Sequence, residues 1–152
     1  PPAEGGGLVE REDQNGASLV FVLQIYDAKF LFTGDIGAKE EQQILAEWGS
    51  VQVQEQTENG SMVSGGIVMP DVDVLKVAHH GSRTSTTPAW LTAWKPEFAA
   101  ISAGRNNRYG HPHPDILKRL LDHGITVFQT AVNGEIRFRI GRDGMRIETA
   151  LK

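Results

Sequence analysis

The stretch DVLKVAHHGS, residues 73–82, decides the architecture. Its first six residues are an apolar, β-favouring run, which predicts a strand over 73–78. His79-His80-Gly81-Ser82 then breaks the run. Adjacent histidines on a continuing strand project to opposite faces, but a turn at Gly81 brings both imidazoles toward one pocket. The chain of 152 residues contains no cysteine. Disulfide scaffolds, thiol nucleophiles and Cys-held zinc are therefore all excluded. A metal here would rest on His, Asp or Glu, with imidazole the natural ligand. The plainer alternative is a pair of strand-end histidines engaged only in hydrogen bonds.

Upstream, residues 18–25 (SLVFVLQI) and 29–33 (KFLFT) are short apolar runs around Tyr26-Asp27-Ala28, a hairpin signal. Thr33-Gly34-Asp35 ends the second run. A carboxylate behind a glycine at the C-terminal end of a strand sits where ligands often bind; as a turn residue or helix N-cap it needs no ligand. Residues 37–48 (GAKEEQQILAEW) predict a helix with Gly49 at its end. Residues 50–66 (SVQVQEQTENGSMVSGG) are polar and Gly/Ser-rich, and read as a surface excursion or flexible loop. Asn59-Gly60-Ser61 within it fits a glycosylation pattern too short to carry weight.

Downstream, Pro88 opens a short helix over 89–94. A strand over 98–102 leads into Gly104-Arg105-Asn106-Asn107-Arg108-Tyr109-Gly110-His111-Pro112-His113. That loop collects two guanidinium groups, two amides, a phenol and two imidazoles. Arginine forks suit oxyanions, and histidine transfers protons. The opposing reading makes Asn and Pro mere turn formers; it is strongest for His113, which Pro114 places at a helix N-terminus. Residues 114–123 predict a helix stopped by Gly124. Strands follow over 125–129, 135–140 and 145–149. The order β-β-α-β-α-β-α-β-β-β implies an α/β layered domain with a mixed sheet. Trp48, Trp90 and Trp94 fall at packing positions on helices.

Size and charge bound the rest. Such a length suits one domain, and 39% hydrophobic with 22% charged residues is ordinary for a globular chain. No apolar run reaches the roughly 18–20 residues that span a bilayer. The opening PPAEGGG has no initiator Met and no signal-peptide pattern, and reads as the start of a piece cut from a longer chain. The net charge of −4 hides an asymmetry. The first 75 residues hold 13 acids and 3 bases, the remaining 77 hold 6 acids and 12 bases, and all 5 histidines lie in the second part. A basic, His-containing half suits a polyanionic substrate, although Arg137, Arg139, Arg142 and Arg146 fall in a terminal hairpin away from the histidines.

FLFTGDI, DVLKVAHHGS and ISAGRNNRYGHPHPDILKRL, in this order, resemble the C-terminal motifs of metallo-β-lactamase-like domains of the ComEC competence family. The likeness runs over about 15–134, with Asn15 and Ser18 matching an N-x-x-S-L-V stretch. It implies a four-layered αββα sandwich with a two-metal site, divalent zinc or manganese, at its edge. By the match, Asp35 is the carboxylate that bridges or touches the metals. His79 or His80 is the late histidine ligand, the other lining the site. His111 is the candidate acid/base. Arg105 or Arg108 is expected to neutralise charge as it develops during attack on phosphorus, while Ser82, Asn106, Asn107, Arg108, Tyr109 and His113 are expected to line the substrate path.

The family's His-x-(His or Asp)-x-Asp-His motif, which supplies most metal ligands, belongs upstream of Asn15 and does not occur in this sequence. The chain is thus expected to be a partial domain, over 1–152, that lacks activity by itself. The resemblance implies a metal-dependent nuclease acting on single-stranded DNA during uptake. Implied partners are a transmembrane channel portion of the same parent chain and other competence proteins. The implied location is the extracellular or periplasmic face of a bacterial plasma membrane. Two alternatives stand beside it: a non-catalytic module that guides DNA or stabilises a channel, and a metallo-hydrolase of another phosphoester.

Overall fold

The computed structural model describes residues 14–50, 52–56, 62–66 and 69–151. PPAEGGG and Asn59-Gly60-Ser61 lie outside these residues. The centre is a five-stranded sheet in the order β1-β2-β5-β6-β7. Here β1 is Phe21–Ile25, β2 Ala28–Phe32, β5 Val74–Lys76, β6 Phe98–Ile101 and β7 Thr126–Gln129. β1 and β2 form an antiparallel hairpin around Tyr26-Asp27. The other three neighbours pair in parallel. Parallel strands need crossovers. These run through β3 (Gln52–Gln56) and β4 (Met62–Gly66) after helix α1 (Ala38–Ser50), then through α2 (Pro88–Trp94) and α3 (Pro114–Asp122). The mixed α/β architecture with a mostly parallel sheet agrees with the layered domain expected.

Side-chain alternation divides the sheet into two faces. Leu31, Leu75, Ala99 and Ile101 point to the helices and join Trp90, Leu91, Trp94, Ile116 and Leu120 in the principal core. Trp48 is partly exposed but packs on Trp94, their ring centroids 5.7 Å apart. All three tryptophans therefore pack. Phe30, Phe32, Val74, Phe98 and Ala100 face the other way. That second face is covered by Phe138, Ile140 and Met145 from a hairpin of β8 (Ile136–Gly141) and β9 (Gly144–Thr149). Phe21, Leu23 and Ile25 of β1 remain exposed beside it.

Three local readings are corrected. Residues 50–66, expected to be a loop, contain β3 and β4 paired antiparallel from Gln52↔Gly66 to Gln56↔Met62. Strand pairing is a backbone property, and a Gln/Gly/Ser composition conceals it. The strand expected over 73–78 stops at Lys76, and the chain turns over Ala78–Gly81 with His79 and His80 in left-handed conformations. A short helix α4 (Thr130–Asn133) interrupts the region between β7 and β8.

Candidate functional site

Three neighbouring parallel strands, β2, β5 and β6, all end at one edge of the sheet, so the loops that follow them meet there. After β2 the chain turns at Gly34, with φ +53°, where a Cβ would lie 2.6 Å from Ser18 Cβ. Ser18 Oγ accepts the Asp35 N–H at 3.1 Å. The residue expected only to match a pattern thus fixes the carboxylate's backbone. After β5, His79 N–H donates to the Gly34 carbonyl at 3.1 Å, locking the two loops together. His79 and His80 both take left-handed conformations, φ 47° and 55°, which non-glycine residues rarely adopt. Gly81 follows at φ +84°, and a Cβ there would meet Pro112 Cβ at 2.6 Å. This contact seats the third loop, and His113 N–H bonds the Gly81 carbonyl at 2.9 Å.

The result brings Asp35 and His80 together, Nε2 to Oδ1 3.8 Å, both about half-exposed. His80 Nδ1 lies 2.7 Å from the Ser102 carbonyl. A carbonyl only accepts, so Nδ1 must carry the proton. In a neutral ring, Nε2 then presents its lone pair toward a carboxylate, acceptor facing acceptor. A proton on Nε2 or a cation between the two groups satisfies that arrangement. A carbonyl on the distal nitrogen is also how metal-ligating histidines are oriented. His79 sits edge-on to His111, ring centroids 5.8 Å apart. Burial lowers the His111 pKa, and the neighbouring His79, His80 and His113 lower it further. His80, Ser102, Ala103, Gly104, Asn107, Tyr109 and His111 line an open cleft of about 280 Å³.

Other expected residues have different positions. Ser82 is buried, its Oγ 3.1 Å from Thr84 Oγ1 and its N–H on the His79 carbonyl. It shapes the turn and does not line the cleft. His113 caps α3, its Nδ1 accepting the Asp115 N–H at 3.2 Å. Asn107 lines the cleft, but its amide is committed to the loop: Nδ2 donates to the Gly104 and His111 carbonyls, and Oδ1 accepts the His111 N–H. Arg105 Nε donates to the Ala131 carbonyl of α4 at 3.0 Å, and Arg105 is not among the lining residues. Arg108 stacks over Tyr109 at 5.4 Å, and both are exposed with Asn106.

Lys76 escaped the sequence reading. Burial lowers its pKa and the Asp35 charge opposes that shift. The cue was present, a lysine inside the apolar run DVLKVA.

Asp35, His79, His80 and His111 offer the oxygen and nitrogen donors that zinc-class ions take. Among the described residues, however, no group of three or more His, Cys, Asp or Glu side chains is arranged to hold an ion. These donors are of the kind a divalent ion takes, but among the described residues they do not form a site by themselves.

No family model matches the chain. It is similar to ComE operon protein 3 of Bacillus subtilis, 34% identical over 126 residues, which is 83% of this chain and 14% of that protein. Competence protein ComA of Neisseria gonorrhoeae is 32% identical over 136 residues, covering 90% of this chain and 17% of the relative. Recombination protein 2 of Haemophilus influenzae is 33% identical over 143 residues, 94% of this chain and 15% of the relative. The chain thus spans about one-sixth or less of the length of the curated relatives it matches.

Proposed function

We propose that this chain, a competence protein by its relatives, contributes the late half of a metallo-β-lactamase-like domain that hydrolyses phosphodiesters of single-stranded DNA during uptake. One observation carries the reading: Asp35 and His80 face each other at 3.8 Å, His80 oriented by the Ser102 carbonyl, where three parallel strands end. In the proposed site Asp35 and His80 would hold a divalent ion, zinc or manganese, and the bound ions would supply charge neutralisation and an activated water. His79, in the same turn as His80, packs edge-on against His111. His111 is placed to move a proton: its depressed pKa leaves it neutral and able to accept near pH 7. Tyr109 and Arg108 offer a ring and a cation at the rim, which suit a nucleotide strand.

The sheet supports the layered part of the reading. One face is closed by helices, while the other is covered in part by the β8–β9 hairpin and keeps, between that hairpin and β1, an apolar groove of about 240 Å³ lined by Leu23, Ile25, Phe30, Phe32, Phe138 and Ile140 among others. A second sheet packed there would complete an αββα sandwich. None of the described helices is long and apolar enough to cross a membrane. We place the membrane channel portion of the parent protein, and the other competence proteins, outside these residues, with this domain on the extracellular or periplasmic side.

The test is metal titration and single-strand cleavage with the full parent protein. His80→Ala is expected to weaken zinc or manganese affinity by about 100-fold or more, since even outer-shell changes cost about 10–100-fold. Unchanged affinity and unchanged cleavage would remove His80 and this reading together. A DNA-guiding role is favoured by Arg137, Arg139 and Arg146, exposed together with Arg142 on the β8–β9 hairpin. Single-strand binding that persists without any cleavage at any metal concentration would select it.

A further inference from the structure

The turn carrying the two histidines is held by groups that no ligand reading requires. Within eight residues the chain places His79, His80 and Thr86 at positive φ, 47°, 55° and 55°. Backbone of this kind persists only where its surroundings over-determine it. Ser82 N–H donates to the His79 carbonyl, and the buried Ser85 Oγ reaches the Ala78 and Ser82 carbonyls at 3.2 and 3.0 Å. Beyond Ser85 a carboxyl group and a guanidinium grip the loop backbone from two helices. Glu41 of α1 is 0% exposed, and its two carboxylate oxygens accept the N–H groups of Thr86 and Thr87. Arg119 of α3 donates through Nη1 to the Ser85 and Thr86 carbonyls at 3.1 and 2.7 Å. Ala38 N–H adds a bond to the Thr84 carbonyl at 2.7 Å.

Burial pushes the Glu41 carboxyl up, while the Thr87 and Thr86 donors and the Arg119 charge pull it back. Buried ions gain little stability over a packed apolar pair, because desolvation offsets their attraction. Their distinctive product is geometry: both oxygens and the guanidinium fork require particular backbone directions.

We infer that Glu41 and Arg119 are positioning residues, clamping the loop over residues 82–87 so that His79 and His80 stay in the left-handed turn presenting them to the cleft. The importance of that turn rests on the site reading above, but the clamp is measurable without metal.

The experiment is NMR on this chain, reading the intraresidue HN–Hα contact and the Cα and Cβ shifts that mark positive φ at His79 and His80. Glu41→Gln sets an amide NH₂ against a backbone N–H. It is expected to lose the positive-φ signature at both histidines while the α3 and β7 resonances stay in place. Ser85→Ala, which removes only the hydroxyl linking the clamp to Ala78, is expected to show the same loss and decides the matter if Glu41→Gln does not fold. A folded variant of either kind with wild-type signatures at His79 and His80 overturns the inference. Intact metal affinity in His80→Ala would overturn the site reading and leave this result standing.

Discussion

At the scale of single residues, the site trades stability for placement. Lys76 is the clearest case, a largely buried ammonium whose pKa is lowered chiefly by desolvation. The unfolded chain therefore binds this proton more tightly than the folded one. Below the depressed folded pKa the charged lysine costs stability, and stability recovers as pH rises through the window up to the ordinary value of 10.5. Lys76→Met is expected to raise the urea midpoint at pH 7, with a gain that shrinks as pH approaches that value. Urea titrations at several pH values check this, and a pH-independent difference would sink it. The sequence displayed Asp35, His79, His80 and His111 as candidates. For His113 the following Pro114 already pointed to the helix cap that the structure shows, but nothing revealed that Ser82 serves the backbone, because a hydroxyl has the same letter whether it faces inward or outward.

At the scale of elements, apolar periodicity reported the helices and the strands buried in the core. In α3, Leu120 is 0% exposed and its neighbour Leu121 is 64% exposed, as a 3.6-residue repeat against the sheet demands. Leu120→Ala should cost about 3 kcal/mol by transfer and cavity formation. Leu121→Ala should stay within about 0.5 kcal/mol. Equilibrium denaturation of the two variants gives the comparison, and similar losses would contradict the packing described. Periodicity failed where pairing is not written in side chains. The β3–β4 hairpin hid in a Gln- and Gly-rich stretch, and the four-residue α4 was too short to show a period.

At the scale of the whole molecule, the exposed apolar residues of β1 and the groove beside them ask for a covering layer. Contiguous apolar surface of this kind marks an interface. This chain alone is expected to bind a hydrophobic dye such as ANS, and Leu23→Thr with Ile25→Thr should reduce the signal. Dye binding unaffected by the pair would place the exposed surface elsewhere. Under the proposed function, the isolated chain is expected not to cleave single-stranded DNA in zinc or manganese, and the full parent protein is expected to cleave it. Robust metal-dependent cleavage by this chain alone would show that its own residues suffice.

Local composition and period determined the order of strands and helices apart from β3, β4 and α4, the helix-facing core and the identity of the loops that carry His, Arg and Asp. Those properties follow from each residue's own preference for water, apolar surroundings or a turn. Only the tertiary structure decided which loops meet. Asp35 reaches His80 across 45 positions because β2 and β5 pair in parallel, and the Ser102 carbonyl selects the face His80 presents because β6 lies beside β5. Adjacency in a sheet is set by hydrogen bonds between distant backbones, and no single segment carries that information.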